Sequence, residues 1–309
     1  MRLASERALI VLAYVSMCAI WGSTWMMIKI GLRGAPPLTA VGLRFVLAGA
    51  LIATLVALRR LRYPRARRFL ALSVFLGVCH MATPYVLVYW AEQHISSGLT
   101  AVLYATMPFV VAVLARAVVG DALTARKLVG IVIGVAGVWF IFADSMQVGG
   151  RLGILGVCAV LLSVFFASLS TVVLKKYGKE YNPLVMLALP FWVGGILVLA
   201  VAVPSEQSNP FTYDARTWGT IVYLAILGSG IAFTLLFWII QRIDVTVASY
   251  QTFIIPVIAM FLGWVFLDEA VTARVTLGSA LILAGIAVAT WRRTSEVRSA
   301  TPEPTLVSK

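Results

Sequence analysis

The chain contains two copies of one hydrophobic pattern, and this duplication constrains its fold more than any other feature. Eleven residues recur 148 positions later without a gap. The front of each half repeats more weakly at an offset of 147, which pairs Ser23 and Thr24 with Ser170 and Thr171. A chain with this repeat is predicted to fold as two similar halves. In the first copy the eleven residues are Trp90, Gln93, Ile95, Pro108, Leu114, Thr124, Ala125, Arg126, Gly130, Ala136 and Gly137.

The repeated segments are too apolar for a water-soluble protein of this length. Hydrophobic residues make up 61% of the 309 residues, charged residues make up 12%, and the mean hydropathy is +0.98. A helix needs about 20 largely apolar residues to cross a bilayer. The predicted fold class is therefore an all-α membrane protein with the lipid bilayer as its solvent. Ten transmembrane helices are predicted, at 8–30, 37–58, 68–91, 96–118, 126–143, 152–175, 183–202, 217–240, 245–266 and 273–291.

The basic residues outside the predicted helices indicate the orientation of the chain. The formal net charge is +13, but these residues lie between hydrophobic segments and not along one amphipathic face, which argues against a nucleic-acid partner. If the N-terminus is cytoplasmic, 19 of them lie on the inner side. Only Arg33, Arg151, Arg216 and Arg274 then lie on the outer side. Because basic residues concentrate on the cytoplasmic side of membrane proteins, both termini are predicted inside.

Five predicted crossings in each half have a consequence for symmetry. An odd number of crossings turns the second half upside down relative to the first, so the halves are predicted to form an inverted repeat. Residues 1–143 would form the first five-helix repeat and residues 151–291 the second. The polar segment 294–309 is predicted to be a disordered cytoplasmic tail. The expected location is the cell membrane.

Two matched prolines predict breaks in two helices. Pro108 lies about midway along the fourth predicted helix, and Pro256 lies about midway along the ninth. Each proline lacks an N–H and displaces the carbonyl four residues earlier, at Tyr104 and Thr252. A carbonyl freed in hydrocarbon needs a polar partner, which a substrate or a water-filled cavity would supply. An ordinary packed kink is the alternative.

Four side chains at mid-depth are candidates for the wall of a binding cavity. Trp21 and Trp192 lie near the middle of the first and seventh predicted helices, where an indole N–H needs a partner. His80 lies midway along the third, as an ionisable group or as a neutral imidazole bonded to a neighbouring helix. Arg44 lies in the second, where an unpaired guanidinium costs at least about 2.5 kcal/mol at the bilayer centre. It could bind a substrate carboxylate, or Glu92 and backbone carbonyls as a structural contact.

Small residues recur at matched places in the two copies. The hydroxyls of Ser23, Thr24, Ser170 and Thr171 could join helices by hydrogen bonds or bind a zwitterionic substrate. Glycines form a second matched set, because glycine lets helix backbones approach closely. Helix packing or a homodimer interface is the expected role of these glycine faces. They are formed by Gly130, Gly134 and Gly137 in the first copy and by Gly278 and Gly285 in the second.

Several stretches, in their order along the chain, resemble the drug/metabolite transporter superfamily and specifically its ten-helix EamA-type permeases. They are Trp21–Trp25, Pro36–Leu38, Leu43–Phe45, then Pro108, Asp121, Leu123, Thr124, Gly130 and Gly137, and in the second copy Pro256, Gly263, Glu269, Val271, Thr272, Gly278 and Gly285. The resemblance covers about residues 8–291. It implies a secondary carrier, often an exporter, of amino acids or related small metabolites. Asp121 stands where the family usually has Glu.

Three alternatives remain beside an exporter of small metabolites. Apolar organic cations in a multidrug efflux carrier would suit the aromatic residues Trp21, Trp192, Tyr85, Tyr89 and Tyr104. A non-transporting membrane partner subunit would use the glycine faces. An enzyme lacks support, since two histidines cannot build H-E-x-x-H and no phosphate-binding loop is present. No metal or other cofactor is expected.

The acidic residues bear on how transport would be driven. All twelve lie in loops, in tails or near the ends of predicted helices. Proton-coupled carriers usually hold an ionisable group within the membrane. The sequence therefore favours facilitated diffusion, with coupling through His80 or Glu92 as the alternative.

Overall fold

The computed structural model describes residues 2–240, 242–243 and 251–290, and these residues are helical without any β-strand. The all-α prediction is confirmed. Ten helices follow one another, and we number them in chain order. They are α1 (Arg2–Gly31), α2 (Pro37–Leu58), α3 (Arg67–Ala91), α4 (Ser97–Val119), α5 (Ala125–Val148), α6 (Gly150–Tyr177), α7 (Pro183–Ser205), α8 (Ala215–Tyr223, continued by Leu224–Ile231 and Ala232–Ile240), α9 (Gln251–Leu267) and α10 (Ala273–Thr290).

The helices agree with the predicted spans in number and order. Within the described ranges, nine are long and apolar enough to cross a membrane, and α9 is shorter at 17 residues. The first residues of the predicted ninth span and the predicted tail 294–309 lie outside the described residues.

Polar residues and prolines in the loops fix where several helices begin. Proline occupies the first position of α2 and α7, where a missing N–H leaves no hydrogen bond unmade. The Asn182 side chain accepts a hydrogen bond from Leu184 N at 3.0 Å at the start of α7. Asp214 does the same for Thr217 N at 2.8 Å at the start of α8. These caps satisfy backbone N–H groups that a helix cannot satisfy internally.

The helix contacts follow one pattern in both halves. Three contacts join helices that occupy the same place in the two repeats: α2 with α7, α4 with α9, and α5 with α10. Other contacts occur in matched pairs, such as α3 with α6 and α8 with α1. The contact of α1 with α9 is likewise matched by that of α6 with α4. Exchanging the two halves therefore preserves these contacts.

The glycine faces pack against each other within the chain. A Cβ placed on Gly137 would lie 2.5 Å from the carbonyl oxygen of Gly278, and Gly130 faces the carbonyl of Gly285 in the same way. The backbones of α5 and α10 thus touch directly, as the sequence predicts for helix packing. A homodimer through these faces stays a prediction, and in the structure the close approach is made inside one chain.

A π-helical segment interrupts α3 and another interrupts α8. The first covers Gly77–Ala82 and the second covers Leu224–Ile231. Shifting the second back by the repeat offset of 148 places it on residues 76–83, so the two segments coincide in the repeat. π-helical turns are rare and frequent at functional sites. The duplicated sequence therefore encodes the same local distortion twice.

The two matched prolines have different effects on their helices. In α4 a break at residues 105–106 separates Ser97–Tyr104 from Met107–Val119, as predicted, and Pro108 starts the second piece. In α9 the predicted break is absent from the described residues, because Gln251–Leu267 is continuous through Pro256. A spanning helix tolerates the loss of one backbone hydrogen bond at an internal proline. The prediction of two breaks is therefore wrong for α9.

Candidate functional site

Arg44 is a fully buried cation near the centre of the helix bundle. Its side chain is 2% exposed, and it extends from α2 toward α3 and the π-helical segment of α8. Its Nε donates to Ser229 Oγ at 3.1 Å, and its Nη1 donates to Tyr89 OH at 3.4 Å. The guanidinium carbon lies 4.7 Å from the centre of the Tyr85 ring. Neutral hydroxyls and an aromatic face therefore surround the charge.

No carboxylate pairs with Arg44 among the described residues. The ion pair found there is on the surface, between Lys175 and Asp121. Glu92, one of the partners considered from the sequence, interacts with Arg44 only at longer range. A buried guanidinium that lacks a carboxylate keeps donor capacity for a further anion. Cation–π contact and neutral hydrogen bonds offset only part of its desolvation cost.

The π-helical segment of α8 supplies polar groups to α1 as well as to Arg44. Trp21 Nε1 donates to the carbonyl of Gly228 at 3.1 Å. Thr24, one turn further along α1, packs its methyl group beside Gly228 and donates its hydroxyl to Trp21 O at 2.7 Å. Trp21, Thr24 and Arg44 thus meet at two consecutive residues of α8, Gly228 and Ser229.

Aromatic rings form the walls around the guanidinium. The Trp25 ring lies 5.3 Å from the Tyr104 ring, and the Phe45 ring meets the Tyr85 ring edge-on at 4.8 Å. Phe191 stacks on Phe45 at 5.5 Å. Edge-on and offset contacts of this kind stabilise aromatic clusters. We call this set the Arg44 site. It consists of Trp21, Thr24, Trp25, Arg44, Phe45, Tyr85, Tyr89, Tyr104, Phe191, Gly228 and Ser229.

Six residues named from the sequence meet in this site: Trp21, Thr24, Arg44, Tyr85, Tyr89 and Tyr104. The hydroxyls of Ser170 and Thr171 instead donate to carbonyls of their own helix, each at 2.9 Å. Ser23 shares a 2.6 Å hydrogen bond with Tyr223 OH and thereby joins α1 to α8. The hydroxyls of Ser170, Thr171 and Ser23 therefore form hydrogen bonds with other groups of the protein.

The remaining candidates lie elsewhere. His80 lies in the π-helical segment of α3 and interacts with the backbone of Ala167 in α6, while its buried Nδ1 has no partner in the described part of the chain. Pro108 lies at the break in α4, and Thr252 and Pro256 lie within α9.

Trp192 lines a cavity that includes no residue of the Arg44 site. Its ring packs against Gly49 of α2. The cavity has a volume of about 280 Å³ and lies between α7 and the start of α3. Its lining is apolar. It is formed by Tyr63, Pro64, Phe69, Leu70, Leu189 and Trp192.

Several residues of the site escaped the sequence analysis. Trp25 was not among the predicted site residues, yet it lies beside Tyr104. Helical spacing could have found it, since Trp21 and Trp25 are four residues apart and share a face of α1. Phe45, which follows Arg44 directly, and Phe191, which precedes Trp192, were not selected either. No sequence pattern indicated that Gly228 and Ser229 lie in a π-helical turn.

The residues described offer no cluster of three or more His, Cys, Asp or Glu that could hold a metal ion. What the Arg44 site presents is a fixed positive charge, hydroxyls and aromatic faces, which suit recognition of a small organic anion and supply no nucleophile with a base. The comparisons with known proteins agree with this membrane architecture. The sequence profile of the EamA-like transporter family matches residues 8–143 and 154–291. This chain belongs to the EamA-like transporter family.

Relatives from bacteria and archaea match over most of their length. The chain is 29% identical to the uncharacterized transporter YoaV of Bacillus subtilis, over 90% of this chain and 95% of that one. It is 29% identical to the uncharacterized inner membrane transporter YedA of Escherichia coli, over 81% of this chain and 80% of that one. A crystal structure with 19% sequence identity superimposes with a TM-score of 0.65 over 94% of this chain and 98% of the other, which supports the fold. The chain is thus a multi-span membrane protein of a transporter family.

Proposed function

We propose that this protein is a secondary carrier of the cell membrane that exports small metabolites bearing a carboxylate, amino acids among them. The observation that carries the proposal is Arg44, a buried guanidinium held by Ser229 and Tyr89 without a carboxylate partner in the described residues. A substrate carboxylate would accept hydrogen bonds from this guanidinium in bidentate geometry. The aromatic walls would contact the apolar part of the substrate.

The carrier would work by alternating access between two inverted five-helix halves, residues 1–143 and 151–291, with both termini inside. Support comes from the helix contacts that occur in matched pairs in the two halves, such as α3 with α6 and α8 with α1, and from the coincidence of the π-helical segments. Inverted repeats place a substrate site near the membrane midplane, between the halves. The hydrogen bond between Arg44 of the first half and Ser229 of the second half supports a site between the halves.

Mechanistically, the π-helical segment of α8 would link the substrate to the two halves. Ser229 holds Arg44, and Gly228 next to it holds Trp21 of α1. A carboxylate that draws Arg44 away from Ser229 would loosen the contact between α2 and α8. A ligand can shift a conformational equilibrium only through such differential contacts. Rocking of one half against the other would then expose the Arg44 site to the opposite side.

The test is transport by purified protein in proteoliposomes, with a screen over amino acids, other carboxylates, nucleosides, sugars and quaternary cations. We expect flux of at least one carboxylate solute in the wild type and its loss in Arg44→Ala. Flux restricted to quaternary cations would favour the multidrug alternative, which the aromatic walls support and the positive charge of Arg44 opposes. Absence of flux for all solute classes would favour the partner-subunit alternative.

A further inference from the structure

Glu92 is a buried carboxyl group that lacks hydrogen-bond partners. It follows the last residue of α3, its side chain is 0% exposed, and neither carboxyl oxygen has a partner among the residues that the structure describes. An ionised carboxylate buried without donors costs several kcal/mol. In the sequence Glu92 directly follows a predicted helix, a position that does not by itself indicate burial. Its burial makes it an ionisable group inside the protein that no contact accounts for.

The geometry of two helices connects Glu92 to the Arg44 site. Tyr85, Tyr89 and Glu92 are spaced by four and three residues and therefore share one face of α3. With a rise of about 1.5 Å per residue, Glu92 lies about 10 Å beyond Tyr85 along the helix axis. On α1, Trp21, Trp25 and Lys29 are spaced by four residues each and likewise share one face of the helix. Both rows of side chains begin at the Arg44 site, and each ends at a charged residue, Glu92 after α3 and Lys29 on α1.

Lys29 reaches the backbone beside Glu92 and not its carboxylate. Its Nζ donates to the carbonyl of Glu92 and, at 2.7 Å, to the carbonyl of Ile95. Two backbone carbonyls thus hold the ammonium group at the end of α3. The Glu92 carboxyl group therefore accepts no hydrogen bond from Lys29.

Four charged or titratable groups on neighbouring elements face Glu92. They are Lys29 of α1, Arg44 of α2, Tyr89 of α3, and Glu269, which follows α9. Glu269 is engaged elsewhere, since its carboxylate accepts hydrogen bonds from Ser97 N at 2.7 Å, Ser97 Oγ at 2.9 Å and Gly98 N at 3.2 Å. Its carboxylate oxygens are therefore occupied by donors at the start of α4.

With Lys29, Arg44 and Glu269 charged, the charges of this group balance in one protonation state of Glu92 for each occupancy. When Glu92 is ionised, Lys29 and Arg44 are balanced by Glu92 and Glu269. A substrate carboxylate at Arg44 adds one negative charge, and a proton on Glu92 restores the balance. Because unbalanced buried charge is costly, binding of the anion favours binding of the proton. By linkage, the proton favours binding of the anion to the same extent.

We infer that Glu92 is a proton-binding site, and that a carboxylate of net charge −1 at Arg44 is carried together with one proton at Glu92. The proton comes from water on the side of entry, forms an O–H bond with a Glu92 carboxyl oxygen, and returns to water on the side of release. A zwitterion brings its own positive charge and carries no proton. This inference rests on the proposed function and replaces facilitated diffusion by proton coupling for anionic substrates.

A first experiment detects the proton without transport. Infrared difference spectra of the purified wild type between pH 5 and pH 9 should contain the C=O band of a protonated carboxylic acid. Glu92→Gln, which keeps the size of the side chain, should lose that band. Glu206→Gln is the matched control, because Glu206 is also buried but accepts hydrogen bonds from Leu38 N and Thr39 N. A band that is absent from the wild type, or that persists in Glu92→Gln, would overturn the inference.

A second experiment measures the linkage with benzoate, a carboxylate with an aromatic ring for the aromatic walls. Calorimetric titration in buffers of different ionisation enthalpy gives the protons taken up on binding. We expect wild type and Glu206→Gln to take up close to one proton per benzoate near the midpoint of the infrared titration, and Glu92→Gln to take up none. Wild-type binding should be at least tenfold tighter at pH 6 than at pH 9.

The outcomes separate this inference from the proposed function. Failure of wild type to bind benzoate, or binding without proton uptake, would overturn the linkage even if proteoliposomes transport other solutes. A carboxyl band and proton uptake that depend on Glu92, in a protein that moves no solute, would support the proton site and refute the carrier. Thermal unfolding and gel filtration of Glu92→Gln check that the variant folds like the wild type.

Discussion

Trp21 Nε1 donates a hydrogen bond of 3.1 Å to the backbone carbonyl of Gly228, 207 residues further along the chain. The carbonyl belongs to the π-helical segment of α8, in which backbone groups are displaced from regular α-helical pairing. The next residue, Ser229, accepts from Arg44. One local distortion in the second half therefore positions two side chains of the first half.

Trp21→Phe tests this bond. The substitution keeps an aromatic ring against Phe233 but removes the donor to Gly228. We expect a loss of about 1 kcal/mol in the free energy of unfolding, measured by thermal unfolding in detergent, and weaker solute binding. Trp139→Phe is the control, because Trp139 is 67% exposed and should change neither quantity. Equal stability of Trp21→Phe and wild type would show that the bond contributes nothing.

Arg44→Ala and Arg44→Lys test the proposed anion site. Hydrogen bonds to charged groups contribute about 1.5–3 kcal/mol, so we expect transport of the carboxylate solute to fall about tenfold to a hundredfold in Arg44→Ala. Arg44→Lys should recover only part, because an ammonium group cannot form the two parallel hydrogen bonds of a guanidinium. The control is Arg242→Ala, since Arg242 is exposed beside Trp238. Normal transport by Arg44→Ala would refute the site.

Gly137→Ala tests the contact between α5 and α10. The new Cβ would lie 2.5 Å from Gly278 O, so the two backbones must separate. Overpacking of this kind costs about 1–3 kcal/mol, which should appear as a lower unfolding temperature. Gly219→Ala is the matched control, because its Cβ would meet nothing within 4 Å. A destabilised Gly219→Ala, with Gly137→Ala unaffected, would contradict the packing described.

Asp121→Asn tests a surface ion pair with a definite pH dependence. The hydrogen bond from Lys175 Nζ, 2.7 Å away, lowers the pKa of Asp121 below its usual value. A carboxyl group whose pKa is lower in the folded state stabilises the protein above its unfolded pKa of about 3.9, and this contribution is lost as the pH falls through the folded pKa. We expect a small loss of thermal stability at pH 7 that shrinks as the pH falls below the unfolded pKa of about 3.9, and that also shrinks in 1 M salt. A loss that is independent of pH would point to another cause.

Accessibility labelling tests the inverted repeat. Single-cysteine variants at Arg62 and Lys179 should react with an impermeant reagent from the cytoplasmic side. Variants at Arg151 and Arg216 should react only from the outside. Labelling of Arg62 and Lys179 from opposite sides would remove the symmetry on which alternating access depends.

The sequence predicted the helices well because each is encoded by its own apolar run, and α4, α7 and α8 also have a capping side chain. Pro108 predicted the break in α4, since a proline favours the first turn of a helix. Pro256 did not predict a break correctly, because a proline can also be accommodated inside a continuous helix. Contacts with neighbouring helices decide whether a proline breaks the helix or is accommodated in it.

The site was predicted only in part, for a related reason. Arg44 and Trp21 could be selected because a charge or an indole at mid-depth requires a partner whatever the packing is. Trp192 also lies at mid-depth in the sequence, but in the structure it lines a cavity apart from the Arg44 site. The sequence could not show this, because tertiary contacts decide which side of α7 meets α2. Glu92 was undervalued because position near a helix end does not reveal burial.

The direct backbone contact between α5 and α10 restricts how such a carrier can move. Gly130 and Gly137 on one side meet Gly285 and Gly278 on the other with no side chain between them. Sliding either helix along the other would bring Cβ atoms of flanking residues into collision. In the proposed cycle we therefore expect the two halves to rock about the contact between α5 and α10, which would keep its register while the other helices move around Arg44.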